Sequence, residues 1–395
     1  MIFVSVEGVG DMLAVRPGLP ESGHHILAIL SPRRTLPARV GGGAVPRVRY
    51  RHNFRQGEGN MKRRFTLMAA ALAIGAAALA APALAQDKLT ATHVFPANFV
   101  YSRSFLEFVK KANDAGKGVF EIQVRGGPEA IGGMQQAPAA RDGVVDMVYS
   151  ACAFYAATVP ECDALAASTI DATTARKNGG LELLNQIHQK RMGVYLLGWP
   201  DSGIRFNLWS TKQPRLDAQG NLDIKGFKVR GHPIYNAFLS NYLGAQVITL
   251  NAPEVYTALE RGTIDISAWT QIGIMDANWD RYLKFRIDPS FFSTDLVIIL
   301  NLKKWSSLSQ KSRDILTRVA IEHEQSSEKD LAALRVKEYA ELDKRGVKVV
   351  SLPPDASKRY VEAARSESLK RMKERMEKSG GMENYDRVVK LLSPL

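Results

Sequence analysis

From Leu89 onward, short β-rich runs alternate with longer helical patterns, which restricts this stretch to the α/β class. "LTATHV" (Leu89 to Val94), "VFEIQV" (Val119 to Val124) and "VVDMVY" (Val144 to Tyr149) read as strands. Helical patterns over about Ser102 to Asn113 and Gln135 to Arg141 separate them. A third helix, about Lys177 to Arg191, leads to "GVYLLGW" and then "IRFNLW" (Ile204 to Trp209). The polar, turn-rich "TKQPRLDAQGNLDIKG" reads as a crossing between lobes. Beyond it come the strand "FKVR", the helix "PIYNAFLSNYLG" and the strand "QVITL". In "NAPEVYTALERGTID", Asn251 and Glu254 stand at capping-box spacing and Gly262 ends the helix, after which "IDISAW" resumes a strand. "LVIILN" (Leu296 to Asn301) is fully apolar until its last residue, as expected of a strand buried on both faces. Ser309 to Arg345 and about Ala356 to Lys378 read as long charged helices. The second is a solvated face or a dimerising one.

The segment before this pattern is of a different kind. Met61 is followed by Lys62, Arg63 and Arg64, then by an apolar, alanine-rich run from Phe65 to Ala80. Ala83-Leu84-Ala85 supplies small residues three and one positions before a cut, so a secretory signal peptide over 61–85 and a mature start at Gln86 are expected. The run is too short for a membrane span, which takes about 20 residues. "RRFTLM" matches twin-arginine export poorly and favours the general secretory route. Residues 1–60 hold eight Arg and no Lys, with Gly and Pro scattered without period. "GEGN" back-translates to a purine-rich run just before the Met61 codon, where a bacterial ribosome-binding site would sit. We read residues 1–60 as upstream sequence included by a misplaced start; the rival reading is a disordered basic arm.

Processing would change the electrostatics. The whole chain carries +13, but residues 86–395 keep 42 basic and 36 acidic residues, a net +6. A nucleic-acid partner is therefore not expected, while anionic small molecules are compatible with the mild excess. The 310 residues that remain suffice for two lobes with their own cores. Cys152 and Cys162 both survive, and in an oxidising compartment either pair or remain two buried thiols.

No enzyme motif is present. His93, His188, His232 and His323 offer no two ligands at metal spacing on one helix, and "IEHEQ" lacks the second histidine of a zinc motif. There is no Gly-x-Ser-x-Gly elbow, and "RGGPEAIGG" lacks the lysine of a phosphate loop. Two arginines stand out: Arg205 in "GIRFNLW" and Arg230 in "GFKVRGHPIY", each on a short strand among apolar and aromatic residues. A planar guanidinium can donate two parallel hydrogen bonds to a carboxylate. Either could instead be an edge charge reaching for water.

The stretch "IKGFKVRGHPIYNAFLSNYLGAQVITLNAPEVYTALERGTID" closely resembles the core signature of solute-binding proteins of tripartite ATP-independent periplasmic (TRAP) transporters, the DctP-like family. The similarity runs from the strand near Thr90 through "GVVDMVY" to "NLKKWSSLS" and the helix after it. It implies a two-lobed periplasmic-binding-protein-like α/β fold with hinge strands and a long back helix spanning both lobes. Lobe 1 is expected over 86–208 plus 290–325, and lobe 2 over 209–289 plus the C-terminal helices of 340–395. The resemblance maps the carboxylate-holding arginine to Arg230 and a second arginine to Arg205. It places His93 where relatives contact ligand; the pattern of Trp269 with Phe154, Tyr155 and Trp199 suggests an aromatic-walled cleft, the alternative being that three of these four are core. Relatives that hold a cation carry Glu before that tryptophan; here Ala268 precedes Trp269, so neither metal nor other cofactor is expected. The implied partners are a small organic acid, a monocarboxylate of keto, hydroxy or aromatic type, and the TRAP membrane permease. A sensor-kinase partner, or a secreted enzyme on the same scaffold, are the alternatives.

Overall fold

The computed structural model describes residues 86–394, together with Arg49. The signal-peptide and upstream-extension readings fall on residues outside this range. Elements of two residues and short helical turns are referred to by residue number.

The first lobe is built on a five-stranded sheet. Its strands are β1 (Asp87–His93), β2 (Phe120–Val124), β3 (Met147–Ala151), β4 (Val194–Gly198) and, much later in the chain, Leu296–Asn301. β1 lies between β2 and β3, parallel to both, and the late strand inserts antiparallel between β3 and β4. All six residues of Leu296–Asn301 are buried, as its unbroken apolar run requires when both sheet faces are covered. Helix α1 (Val100–Ala115) covers one face with Tyr101, Phe105 and Phe108. Helix α2 (Gly133–Arg141) and helix α3 (Gly180–Met192) cover the other.

The second lobe is built on a six-stranded sheet. Its strands are β5 (Phe206–Ser210), β6 (Lys228–Gly231), β7 (Gln246–Thr249), β8 (Ile266–Thr270), β9 (Phe285–Asp288) and Lys348–Ser351. The order is Lys348–Ser351, β9, β5, β8, β6, β7. Helix α4 (Ala252–Glu260) follows β7 and begins with the capping box anticipated from Asn251 and Glu254. The helix expected over "PIYNAFLSNYLG" forms from Asn236 to Tyr242 and is wound wider, as a π-helix, over Phe238–Tyr242. It buries Phe238 and Leu239 in the second lobe's core.

The chain crosses between the sheets at residues 199–205 and 289–295, and not at 211–226 as expected, because β5 and β6 on either side of that segment both pair in the second sheet. The two crossing segments run alongside each other: Phe206 N–H donates to Phe292 O (2.9 Å), Phe291 N–H to Phe206 O (2.8 Å), and Arg205 bridges Ser293. The first leads into β5, and the second into β10 (Leu296–Asn301), the inserted strand of the first sheet. Helix α5 (Gln310–Lys344) has 35 residues and so runs about 50 Å. Its start is tied to β1, where Ser312 Oγ donates to Asp87 (2.6 Å). Its end leads into β11 (Lys348–Ser351) in the second sheet. At mid-length, Glu324 is buried and takes two bonds from Arg176 (2.5 and 2.9 Å) and one from Trp199 N–H (2.7 Å).

The C-terminal helices depart from the expected lobe boundaries. Helix α6 (Pro354–Ser379) packs Ala356, Tyr360 and Ala364 into the second lobe, but Leu369, Met372 and Met376 into the first. Helix α7 (Tyr385–Leu392) buries Val388 and Leu392 in the first lobe's core. A 26-residue helix is about 39 Å long, too long for one lobe face. Arg371 and Arg375 fasten its bridging middle to the buried Asp163 at 2.8–3.0 Å. Residues 340–395 therefore do not belong to lobe 2 alone.

Candidate functional site

A cavity of about 540 Å³ lies between the two sheets, within the size range of ligand pockets. The first lobe contributes Phe95, Tyr101, the turn at Gly132–Gln135 and Phe154; the second contributes Phe206, Arg230, His232, Tyr235 and Trp269. Thr294 and Asp295, from the second crossover, complete it.

Arg230 is 2 % exposed on β6. Its Nε donates to Leu250 O (3.0 Å), and Nη1 donates to Ala268 O (3.2 Å) and to the Tyr235 hydroxyl. The guanidinium carbon stands 5.6 Å from the Trp269 ring centroid. Among the described residues no carboxylate pairs with it within 4 Å. A buried cation held only by neutral acceptors is costly to desolvate, and an anion entering the cavity offsets that cost.

The aromatic walls brace one another. Trp269 packs edge-on against Trp279 (4.9 Å between centroids), Phe95 and Phe99 (6.0 Å each). The His232 ring is 4.8 Å from that of Phe154. Burial, reinforced by Arg230 and Arg371, holds the His232 pKa well below its usual value, so the imidazole is neutral at pH 7. Burial also pushes the Tyr235 hydroxyl up to about 12, against the opposing effect of Arg230, so it stays protonated.

The expected site residues separate into two groups. Arg230, Trp269 and Phe154 line the cavity. Arg205, His93 and Tyr155 do not, and each has a structural partner instead. Alternation along a strand sends Arg205 away from the cavity that Phe206 faces. The Arg205 guanidinium donates to Phe291 O (3.0 Å) and Ser168 O (3.4 Å), fastening the crossover. His93 Nδ1 bonds Phe95 O (2.7 Å), and the ring stands edge-on to Phe105 (6.4 Å between centroids). The Tyr155 hydroxyl is 3.1 Å from His188 Nε2 in the first lobe's core, on the far side of its turn from Phe154. Trp199 is fully buried and donates to Thr294 O (2.9 Å), so it is core.

Cys152 and Cys162 are joined as a disulfide, closing the short loop that carries Phe154. Sequence reasoning overlooked His232, Tyr235 and Asp295. His232 and Tyr235 had a readable signal, since they lie two and five residues beyond Arg230. Asp295 is an acid standing directly before an apolar strand.

The family model of bacterial extracellular solute-binding proteins, family 7 (DctP), matches residues 91–375. The chain belongs to this family. Its members are solute receptors, and a cavity between two lobes is where such a receptor would hold its solute. A solute-binding protein of Albidiferax ferrireducens is 24 % identical over 299 residues, covering 71 % of this chain and 86 % of that one. The monocarboxylate 2-oxoacid-binding periplasmic protein of Nostoc sp. is 24 % identical over 227 residues, covering 54 % of this chain and 59 % of its own. The crystal structure of a Bordetella pertussis extracytoplasmic solute receptor binding pyroglutamic acid superposes with a TM-score of 0.62 at 19 % identity, covering 77 % of this chain and 98 % of that one. This DctP-family chain thus shares the two-lobed fold of known TRAP receptors.

Proposed function

We propose that this chain is exported to the periplasm, captures a small organic carboxylate between its lobes and delivers it to a TRAP membrane permease. The observation that carries the reading is Arg230: a buried guanidinium without a carboxylate partner among the described residues, on the wall of a cavity lined by aromatic rings. In this reading the ligand carboxylate meets Arg230, while Trp269, Phe154, Phe206 and Tyr235 enclose its apolar part. His232 and Tyr235 are both uncharged at neutral pH, and Tyr235, which accepts from Arg230 and donates to Ala268 O, holds the guanidinium in place. The relatives named for monocarboxylate 2-oxoacids and for pyroglutamic acid support a carboxylate ligand. Export would use the signal peptide that starts at Met61 and is cleaved after Ala85.

The magnitudes are adequate. Micromolar affinity needs about 8 kcal/mol, and a ligand of about eight heavy atoms has a ceiling near 12 kcal/mol. The protein acts as a receptor rather than a catalyst in this account. Trp269, His232 and Tyr235 bind and orient, and none is asked to move a proton.

A thermal-shift screen against carboxylic acids and their neutral amides tests the proposal, because a ligand that binds only the folded state raises the melting temperature according to its affinity. Stabilisation by acids and not by their amides is expected. Stabilisation by sugars or amines alone would refute it.

A further inference from the structure

The cavity contains a second ionisable group that the carboxylate reading leaves without a task. Asp295 lines the same cavity as Arg230 and is 2 % exposed. Its Oδ2 accepts a bond from Ala153 N–H (2.6 Å), and its backbone carbonyl accepts one from Cys152 N–H (2.9 Å). Among the described residues no cation pairs with it. Arg371 acts on it from a distance but is committed to Asp163 and to the carbonyls of Pro233 and Ile234.

A purely structural role accounts for this residue poorly. Asparagine at the same place would accept the Ala153 N–H equally well and would carry no charge to desolvate. A buried carboxyl without a cation is destabilising, and burial pushes its pKa up to about 7. Such a group is explained when something entering the cavity donates to it. The two charged groups line one cavity without forming an ion pair, so one small molecule could address both.

We propose that the cavity selects organic acids that carry a hydrogen-bond donor apart from the carboxylate, an amine or lactam N–H or a hydroxyl, and that Asp295 reads that donor. The inference rests on the carboxylate reading above. An acid with only acceptors would set a lone pair against Asp295 and leave the buried carboxyl unpaired. Loss of a donor that a buried acceptor requires discriminates far more strongly than loss of a methylene.

The test is calorimetry at pH 8 with three matched pairs, each differing in one donor. These are pyroglutamate and the lactone in which its N–H is replaced by oxygen, mandelate and phenylacetate, and 3-phenyllactate and hydrocinnamate. In each pair that binds, the donor-bearing member should bind at least about tenfold tighter. Asp295→Asn should reduce that preference to about threefold or less, by weakening the donor-bearing member, by relieving the repulsion of the donor-free one, or by both. Equal affinities within a pair, a preference for the donor-free acid, or a preference that survives in Asp295→Asn would each overturn the inference. Those three outcomes leave the carboxylate reading intact. Silence from all six and from the wider acid library would overturn both. The wild-type comparison needs no variant, so poor folding of Asp295→Asn does not obscure the result.

Discussion

Arg230→Met is the substitution whose outcome the structure predicts most sharply. Methionine keeps much of the side chain's apolar length and deletes the guanidinium. In the ligand-free protein it removes a buried charge that no carboxylate balances, while Leu250 O, Ala268 O and the Tyr235 hydroxyl lose a donor. Tyr235 already donates to Ala268 O (2.9 Å), so one of those acceptors keeps a partner. Desolvation recovered and hydrogen bonds lost oppose each other, and the melting temperature of the free protein should move little. Binding has no such compensation. A carboxylate left buried without its cation costs about 2–5 kcal/mol, a loss in affinity of about 30-fold to several thousand-fold. Isothermal titration with the acid that gives the largest thermal shift reads this directly. The reasoning fails if the variant melts like the parent and binds within threefold of it.

Other outcomes follow from neighbouring contacts. Helix α1 has no side-chain cap from its own N-cap residue; Asp276, from the loop after β8, accepts from Val100 N–H (2.9 Å) and pairs with Arg103 (3.1 Å). Asp276→Ala should cost about 1–2 kcal/mol in urea denaturation, and an unchanged midpoint would contradict that cap. Replacing Cys152 and Cys162 by serine should lower stability by about 2–4 kcal/mol, with the parent falling to the same level in reductant. The Asp295 carboxyl is raised to about 7 by burial, with Asp163 adding to the rise and Arg371 and the Ala153 N–H opposing it. The folded state therefore holds a proton that the unfolded chain releases between about pH 4 and 7. Across that window the ligand-free protein should lose stability as pH rises, by about 1.4 kcal/mol per pH unit for this group. The difference between parent and Asp295→Asn isolates this share from that of Glu338, also raised to about 7 by burial, and of His188 and His323, which burial lowers to about 4. Parallel stability profiles for the two proteins would refute it.

Much of this architecture was legible before any coordinates. Hydrophobic periodicity placed α1, α3, α5 and α6 close to their observed limits, and the unbroken apolar run of β10 announced a strand covered on both faces. The capping box at Asn251 and Glu254 is local chemistry, and it formed as read. What could not be read is orientation across short irregular segments. Arg205 and Phe206 are adjacent, and only strand pairing decides which one faces the cavity. Phe154 and Tyr155 sit on a short helical turn, and His93 and Phe95 lie on either side of the end of β1, where no long pattern sets the phase. Helix α6 was misassigned because its apolar residues are sparse and serve two cores in succession. Asp295 escaped notice because one acid before an apolar strand resembles an edge charge until a cavity is seen beside it.

The central claim is that Arg230 holds a negative charge. It is tested most directly by titrating the wild-type protein with its best-binding acid and with that acid's primary amide, which matches it in shape and lacks the charge. The account predicts that the amide binds at least about 30-fold more weakly, the same loss expected from removing the guanidinium. Equal affinity for acid and amide would show that the cavity does not read the carboxylate at all.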